Sequence, residues 1–207
     1  MSESDSAGRP ADPPHPANPP RPADSAHQSA APQPTEAADP AEPADPAEPA
    51  GLTELAEQER TLVLPRFTPD DAWRLGCLLV ELARERDAAV TISVVRGPQR
   101  LFHAALDGTT ADNDAWLERK ARVVERYAAS SLMVGERFRA RGTTFEESSR
   151  LDPNLFAAHG GAFPVRVTGV GVVGVVGVSG LPQREDHALV VAGLTRFLDD
   201  LRTSWDT

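Results

Sequence analysis

An α+β domain, an antiparallel sheet flanked by helices, is the fold class that the sequence predicts, and three observations predict it. Two pairs of β-rich runs are joined by linkers too short for a parallel crossover. Three segments place apolar residues at helical spacing. The resulting order β-α-β-β-α-β-β-α cannot be wound into a parallel sheet with helices between all strands.

The first 50 residues stand apart from this pattern. Thirteen of the 19 prolines fall there, with nine acidic and two basic side chains and no aromatic residue. Such a stretch cannot bury enough apolar surface to offset the entropy of ordering it, so residues 1–50 are expected to be a disordered tail. Residues 39–50 read DPAEPADPAEPA, a cycle that favours extended, self-repelling polyproline II and makes a spacer. Residues 51–207 are then one domain.

Taken in order, Arg60–Leu64 is an apolar run ended by Pro65, an edge strand. Thr68, Pro69 and Asp71 supply a hydroxyl cap, a first-turn proline and a first-turn acid. Leu75, Leu78, Leu79 and Leu82 then form the buried stripe of a helix, with Cys77 beside it as a small hydrophobe. Ala89–Val95 and Arg100–Leu106 flank Arg96-Gly97-Pro98-Gln99 and read as a hairpin. One long helix is expected from Asp114 to Arg141, with Trp116, Val123, Tyr127, Val134 and Phe138 on one side and Gly142 as its stop. Residues 143–158 read as loop with a short helical turn. Phe163–Val167 and Val170–Val178 form a second hairpin around Thr168-Gly169. Seven of the 15 glycines lie between Gly160 and Gly180, so backbone must come close there either to packed neighbours or to a ligand. The last helix runs from Pro182 to Thr203, with His187, Val190, Val191, Leu194, Phe197, Leu198 and Leu201 facing inward.

Several function classes are disfavoured at once. Of the net charge of −10, the tail holds −7 and the domain −3, and no basic cluster with interleaved aromatics exists to neutralise phosphates, so no nucleic-acid partner is expected. The longest apolar stretch, around Val170–Val178, is too short to span a bilayer. A single cysteine and an N-terminus without a charged-then-apolar leader pattern fit a reducing cytoplasm. No metalloprotease, phosphate-loop or dinucleotide fingerprint is present, and no triad surrounds any serine.

The candidate functional residues are few. His187 lies in the first turn of the last helix and on its buried stripe, where the helix N-terminus favours a neutral imidazole, either as a ligand group or as a structural one. His159 precedes Gly160 and Gly161, which either form a small anion nest or simply turn the chain. His103, mid-strand, faces either the helices or a neighbouring subunit. Ser179 and Gly180 open the last helix, as an anion-holding turn or only as a cap. Arg119 reads as a solvated surface charge. Lys120, the only lysine, is a candidate source of positive charge for a pocket shared with His159 and His187.

The series His159-Gly160-Gly161-Ala162-Phe163-Pro164, then Gly169-Val170-Gly171-Val172-Val173-Gly174, then Val178-Ser179-Gly180-Leu181-Pro182 and Asp186-His187 resembles the GlcG/HbpS-like superfamily. More closely, LFHAALDGTTADNDAWLERKARVVERY, AAHGGAFPVRV and SGLPQREDHALV resemble the UPF0303 family of "haem-degrading domain" proteins, over about Leu62–Leu201. The resemblance implies a profilin-like α/β/α sandwich with a five-stranded antiparallel sheet, assembled as a homo-oligomer. It also implies a small-molecule ligand, with haem or a related tetrapyrrole as the candidate cofactor. The ligand-binding set expected is His159, Gly160, Gly161, Lys120, Ser179, Gly180 and His187, with His187 as the metal ligand if haem is bound. An enzyme using His187 and Lys120, and a non-catalytic scaffold, are the alternatives. All of this requires the His159 loop and the Ser179–His187 segment to converge at one end of the sheet around a cavity.

Overall fold

The computed structural model describes residues 49–203; the proline-rich spacer expected over 1–50 lies outside the described residues up to residue 48. The two hairpins form where turn formers interrupt the β-rich runs. β2 (Thr91–Arg96) pairs antiparallel with β3 (Gln99–Ala105), and β4 (Ala162–Val167) with β5 (Gly171–Ser179). β5 also pairs antiparallel with β2, which makes it the central strand, and β1 (Val63–Leu64) adds to β4 in parallel, giving the order β1-β4-β5-β2-β3. The sheet is therefore mixed, not wholly antiparallel. A hairpin forces reversal, but almost a hundred residues with several helices separate β1 from β4, and a connection of that length permits a parallel crossover.

The helices cover both faces. α2 (Pro69–Glu85) starts with a complete capping box: the Thr68 hydroxyl accepts from the Asp71 amide at 3.1 Å, and the Asp71 carboxylate accepts from the Thr68 amide at 2.9 Å. Its leucine stripe packs with α6 (Gln183–Thr203) against Ile92, Val94, Phe163, Val165, Val176 and Val178. On the other face α3 (Ala111–Tyr127) lays Val124 on Ala162 and Val175. Successive β5 valines thus feed opposite layers. The glycines of β5 serve packing, because a Cβ at Gly174 would strike the Val95 carbonyl and one at Gly177 would lie 2.8 Å from a Leu117 methyl.

Two expectations are corrected here. The long helix is two: α3 ends at Ala128, which is left-handed with φ 49°, and α4 (Ser131–Arg139) restarts from Ser130, whose hydroxyl accepts from the Met133 amide at 3.2 Å. The apolar pattern continues across Ala128-Ala129-Ser130-Ser131, so periodicity hides the break, while serine at a cap outcompetes serine inside a helix. The strand expected over Arg60–Leu64 shrinks to two residues because Arg60 and Thr61 belong to a further helix, α1 (Pro49–Thr61). α1 is held by tertiary contact: Leu55 packs with Ala129, Leu132 and Met133 in a second cluster that also takes Phe145 of the short helix α5 (Phe145–Ser149).

α2 approaches β3 so closely that any Cβ at Gly76 would enter the Phe102 ring. Gly76→Ala is expected to lower stability by about 1–3 kcal/mol despite alanine's better helix propensity. Urea unfolding checks this, and an unchanged or raised midpoint would refute the tight contact.

Candidate functional site

β5 ends at Ser179, and the chain turns through Gly180, Leu181 and Pro182 into α6. Asp186, in the first turn of α6, folds back over this corner, where its Oδ1 accepts from the Leu181 amide at 3.0 Å. From the opposite face of the sheet, Lys120 of α3 reaches the same point. Its Nζ donates to Asp186 Oδ2 at 2.8 Å and faces the Val178 carbonyl at 3.4 Å, and the two side chains are only 5% and 1% exposed. Burial holds the Asp186 carboxyl above its ordinary value, at about 6, against the pull of the Lys120 ammonium and of the Leu181 and Gly180 amides.

The glycine loop closes over this pair. Gly161, at φ 118°, is a position where a Cβ would sit 2.9 Å from Lys120 Nζ, and a Cβ at Gly160 would overlap the Gln183 carbonyl. The Gly161 carbonyl accepts from Val178 N at 2.7 Å, and the Gly160 amide donates to the Gln183 side chain at 3.3 Å. The His159 loop and the Ser179–His187 segment are therefore in direct contact. Among the described residues, Lys120, Asp186 and Gln183 fill their junction. Lys120 is committed to the buried carboxylate instead of lending a free charge to a pocket, and Ser179 is likewise buried.

The histidines separate into three environments. His187 is 4% exposed, tilted against Phe163 with ring centroids 5.9 Å apart, and its Nε2 meets Gln58 Oε1 of α1 at 2.8 Å. With Gln58 accepting, the ring is the Nε2–H tautomer, and Nδ1 is a buried acceptor without a hydrogen-bond partner. Burial, with Arg184 adding to it, depresses its pKa to about 4, so the imidazole is neutral. His159 sits 36% exposed, edge-on to Trp116 at 5.3 Å and 4.0 Å from Glu146 Oε1. The Arg119 guanidinium lies 3.9 Å from the centre of the same indole. His103 bonds Asp114 of α3 at 2.6 Å and so faces the helices.

Sequence reasoning missed the acidic partners. Glu136 of α4, 4% exposed, accepts from Arg184 at 2.7 Å and from Arg139 Nε at 3.2 Å, tying α4 to the start of α6. An acid in the first turn of a helix ordinarily reads as a solvated dipole partner, so Asp186 carried no signal beyond its place after the Ser179-Gly180 turn. Glu136 carried none. Among the described residues no group of three or more metal-ligating side chains exists, and no helix is long and apolar enough to cross a membrane.

This geometry sits on a fold that other proteins share. The family described as "Haem degrading protein HbpS-like" matches residues 67–195. The chain belongs to that family. A UPF0303 protein of Streptomyces coelicolor is 68% identical over 149 residues, which is 72% of this chain and 94% of that protein, and one of Edwardsiella ictaluri is 45% identical over 147 residues, or 71% and 94%. Among solved structures, the Ybr137w protein superposes with a TM-score of 0.68 at 30% identity, covering 72% of this chain and 88% of that one. HbpS (0.51, 24% identity, covering 63% and 89%) and the PduOC:heme complex (0.54, 16%, covering 62% and 93%) share the fold.

The family name raises haem, and the residues can be tested against it. His187 does not fit an axial ligand in this arrangement: one ring nitrogen is bonded to Gln58 and the other is enclosed. His159 is more accessible than His187 and stands beside an indole and a guanidinium, with its Nε2 4.0 Å from Glu146.

Two outcomes test the buried groups. Lys120→Met leaves the Asp186 charge without its partner and should cost about 3–5 kcal/mol, much of it restored by adding Asp186→Leu; strict additivity of the two changes in urea unfolding would refute the coupling. The His187 pKa is lower folded than unfolded, so its contribution is complete above pH 6.5 and is lost as pH falls toward 4, amounting to about 3 kcal/mol. Asp186 acts with the opposite sign, favouring the fold as pH falls below about 6. Comparison with His187→Gln isolates the histidine: the advantage of wild type over the variant should shrink between pH 7 and pH 4, whereas parallel stability curves would sink the assignment.

Proposed function

We propose that the chain is a small-ligand-binding protein whose site is the rim of the glycine loop around His159, with haem or a related tetrapyrrole as the candidate ligand. One observation carries this reading. Beside a loop pinned to the sheet end, the structure holds a half-exposed imidazole, the edge of Trp116 and the guanidinium of Arg119 in one cluster. A tetrapyrrole offers matching chemistry: an extended planar apolar surface, peripheral carboxylates and, when it carries iron, an open axial position. Arg184, half-exposed next to Gln183, is a second cation near the rim.

The expected binding residues divide accordingly. His159 is the contact group. Gly160, Gly161, Ser179 and Gly180 position it through the packed corner, and Lys120 and His187 support that corner from within. Bound haem iron would supply redox and oxygen chemistry. Binding without turnover is the reading proposed; Lys120, Asp186 and His187 are buried at the corner, and His159 with Glu146, 4.0 Å apart, is the partly exposed acid–base pair at the rim. A homo-oligomer and a cytoplasmic location, supported by the lone cysteine, belong to the same proposal.

Titration of the purified protein with haemin should shift the Soret band. His159→Ala should weaken binding by tenfold or more, on the order of 1.4 kcal/mol, and His187→Ala should leave the ligation spectrum in place. Loss of the shift in His187→Ala but not in His159→Ala would overturn this assignment. Disappearance of the Soret band with a bilin-like product, on adding reductant and oxygen, would replace binding by degradation as the function.

A further inference from the structure

The first helix, α1, reaches the ring of His187 through Gln58, and few contacts hold it there. Leu55 is the one buried apolar side chain among those described in α1, whereas α6 buries Leu189, Val190, Leu194, Phe197, Leu198 and Leu201. A helix of 13 residues with a single apolar anchor is marginal by its own propensity. Polar ties make up the rest. Gln58 Oε1 accepts from His187 Nε2 at 2.8 Å, and the Glu59 carboxylate accepts from the Ser130 amide at 2.7 Å and from Arg166 at 3.3 Å. At its C-terminal end α1 joins the sheet through Leu62, the one residue between Thr61 and β1, and the Leu62 side chain is in the core.

The ring that α1 meets is incompletely satisfied. His187 is 4% exposed, yet its Nδ1 has no hydrogen-bond partner. An acceptor enclosed without a donor has lost its hydration and gained nothing in exchange. Lys120 and Asp186, equally deep in the same corner, are bonded to each other and to backbone groups. The closed arrangement therefore carries an uncompensated cost at the imidazole itself, and water that enters when α1 lifts removes it. Weak anchoring and an unsatisfied group beneath it act in the same direction, toward opening of this helix before the core.

We propose that α1 is a strap over His187. It opens by local unfolding as far as Leu62 while the sheet and α6 stay folded. Closed, it makes His187 a sealed structural group; open, it frees an imidazole that can accept a proton or coordinate a metal ion. The inference concerns access to the ring and does not rest on the ligand reading.

Carbethoxylation of the full chain by diethyl pyrocarbonate at neutral pH, resolved residue by residue by mass spectrometry, tests the strap together with amide hydrogen exchange. In wild type, His187 should react about tenfold or more slower than the partly exposed His159 and His103, and the α1 amides should exchange as a group faster than those of α6. Leu55→Ala and Glu59→Ala both leave Gln58 over the ring. Each should speed the reaction of His187 by about tenfold, with His159 reactivity and α6 exchange unchanged. Gly51→Ala, whose added methyl meets nothing within 4 Å, favours the helix and should slow the reaction by about two- to fivefold. Equal protection of α1 and α6 overturns the proposal. So does a wild-type His187 that reacts as fast as His159, or a His187 whose rate follows only α6 exchange across the variants, since it then opens with the whole fold.

Discussion

The ion pair between Lys120 and Asp186 is the constraint on which the rest of the corner depends. It joins α3 on one face of the sheet to α6 on the other, around the end of the central strand, at side-chain exposures of 5% and 1%. Removing two charges from water is costly, and attraction alone seldom offsets it. Here further polar groups complete the site: the Val178 carbonyl faces the ammonium, and the Leu181 amide donates to the carboxylate. An apolar pair of the same volume would fill the space but would not fix where the strand ends and the helix begins. The glycine loop follows from the pair, since only a residue without a side chain fits at Gly161 above Nζ. The loop's far end is tied separately, by the Ala162 amide donating to the Ser131 hydroxyl of α4 at 3.0 Å.

The corner sorts its ionisable groups by burial. Asp186 and His187 are adjacent in sequence and comparably enclosed, yet burial pushes the acid up to about 6 and the imidazole down to about 4. In both cases the same physical cause disfavours the charged form. At neutral pH the outcomes still differ, because Lys120 gives the carboxylate a cation to answer it, whereas Arg184 near His187 adds repulsion. The buried members thus hold the architecture, and His159, which burial spares, is the imidazole to which the proposed function gives the ligand contact. Two histidines of similar prospect in the sequence thus differ in solvent access, His187 being enclosed and His159 partly open.

The parts of this arrangement legible in the sequence are those encoded locally. The Thr68-Pro69-Asp71 start of α2, the two hairpin turns and the inward stripe of α6 each depend on neighbours within a few residues, and they form where the pattern puts them. The glycine pair and the Ser179-Gly180 turn were also legible as one place, because their resemblance to a known series preserved order and spacing. What was hidden depends on distant partners. α1 owes its stability to Leu55 meeting α4, Asp186 becomes a buried ion only because Lys120 arrives from 66 residues away, and Glu136 needs Arg184. The break at Ala128 is the converse case: a local cap at Ser130 was written in the sequence but masked by an apolar pattern that both helices continue. The parallel edge strand shows the same limit, since two residues contain too little alternation to declare a direction.

α6 connects these elements into one mechanical unit. Its first turn supplies Asp186 and His187 to the corner, its inner stripe covers the sheet, and near its end the buried Phe197 ring lies under the Arg74 guanidinium of α2 at 5.6 Å. A helix of 21 residues held at its start by a buried ion pair and along its length by the core has little freedom to tilt. At Gly193 it comes closest to α2, since Leu79 occupies the space a side chain would need there. The rim around His159 is therefore presented by a rigid frame: the loop carrying it is pinned to α6 through Gln183 and to β5 through Val178. A ligand bound there, as the proposed function has it, would meet a loop whose ordering entropy has already been met in folding.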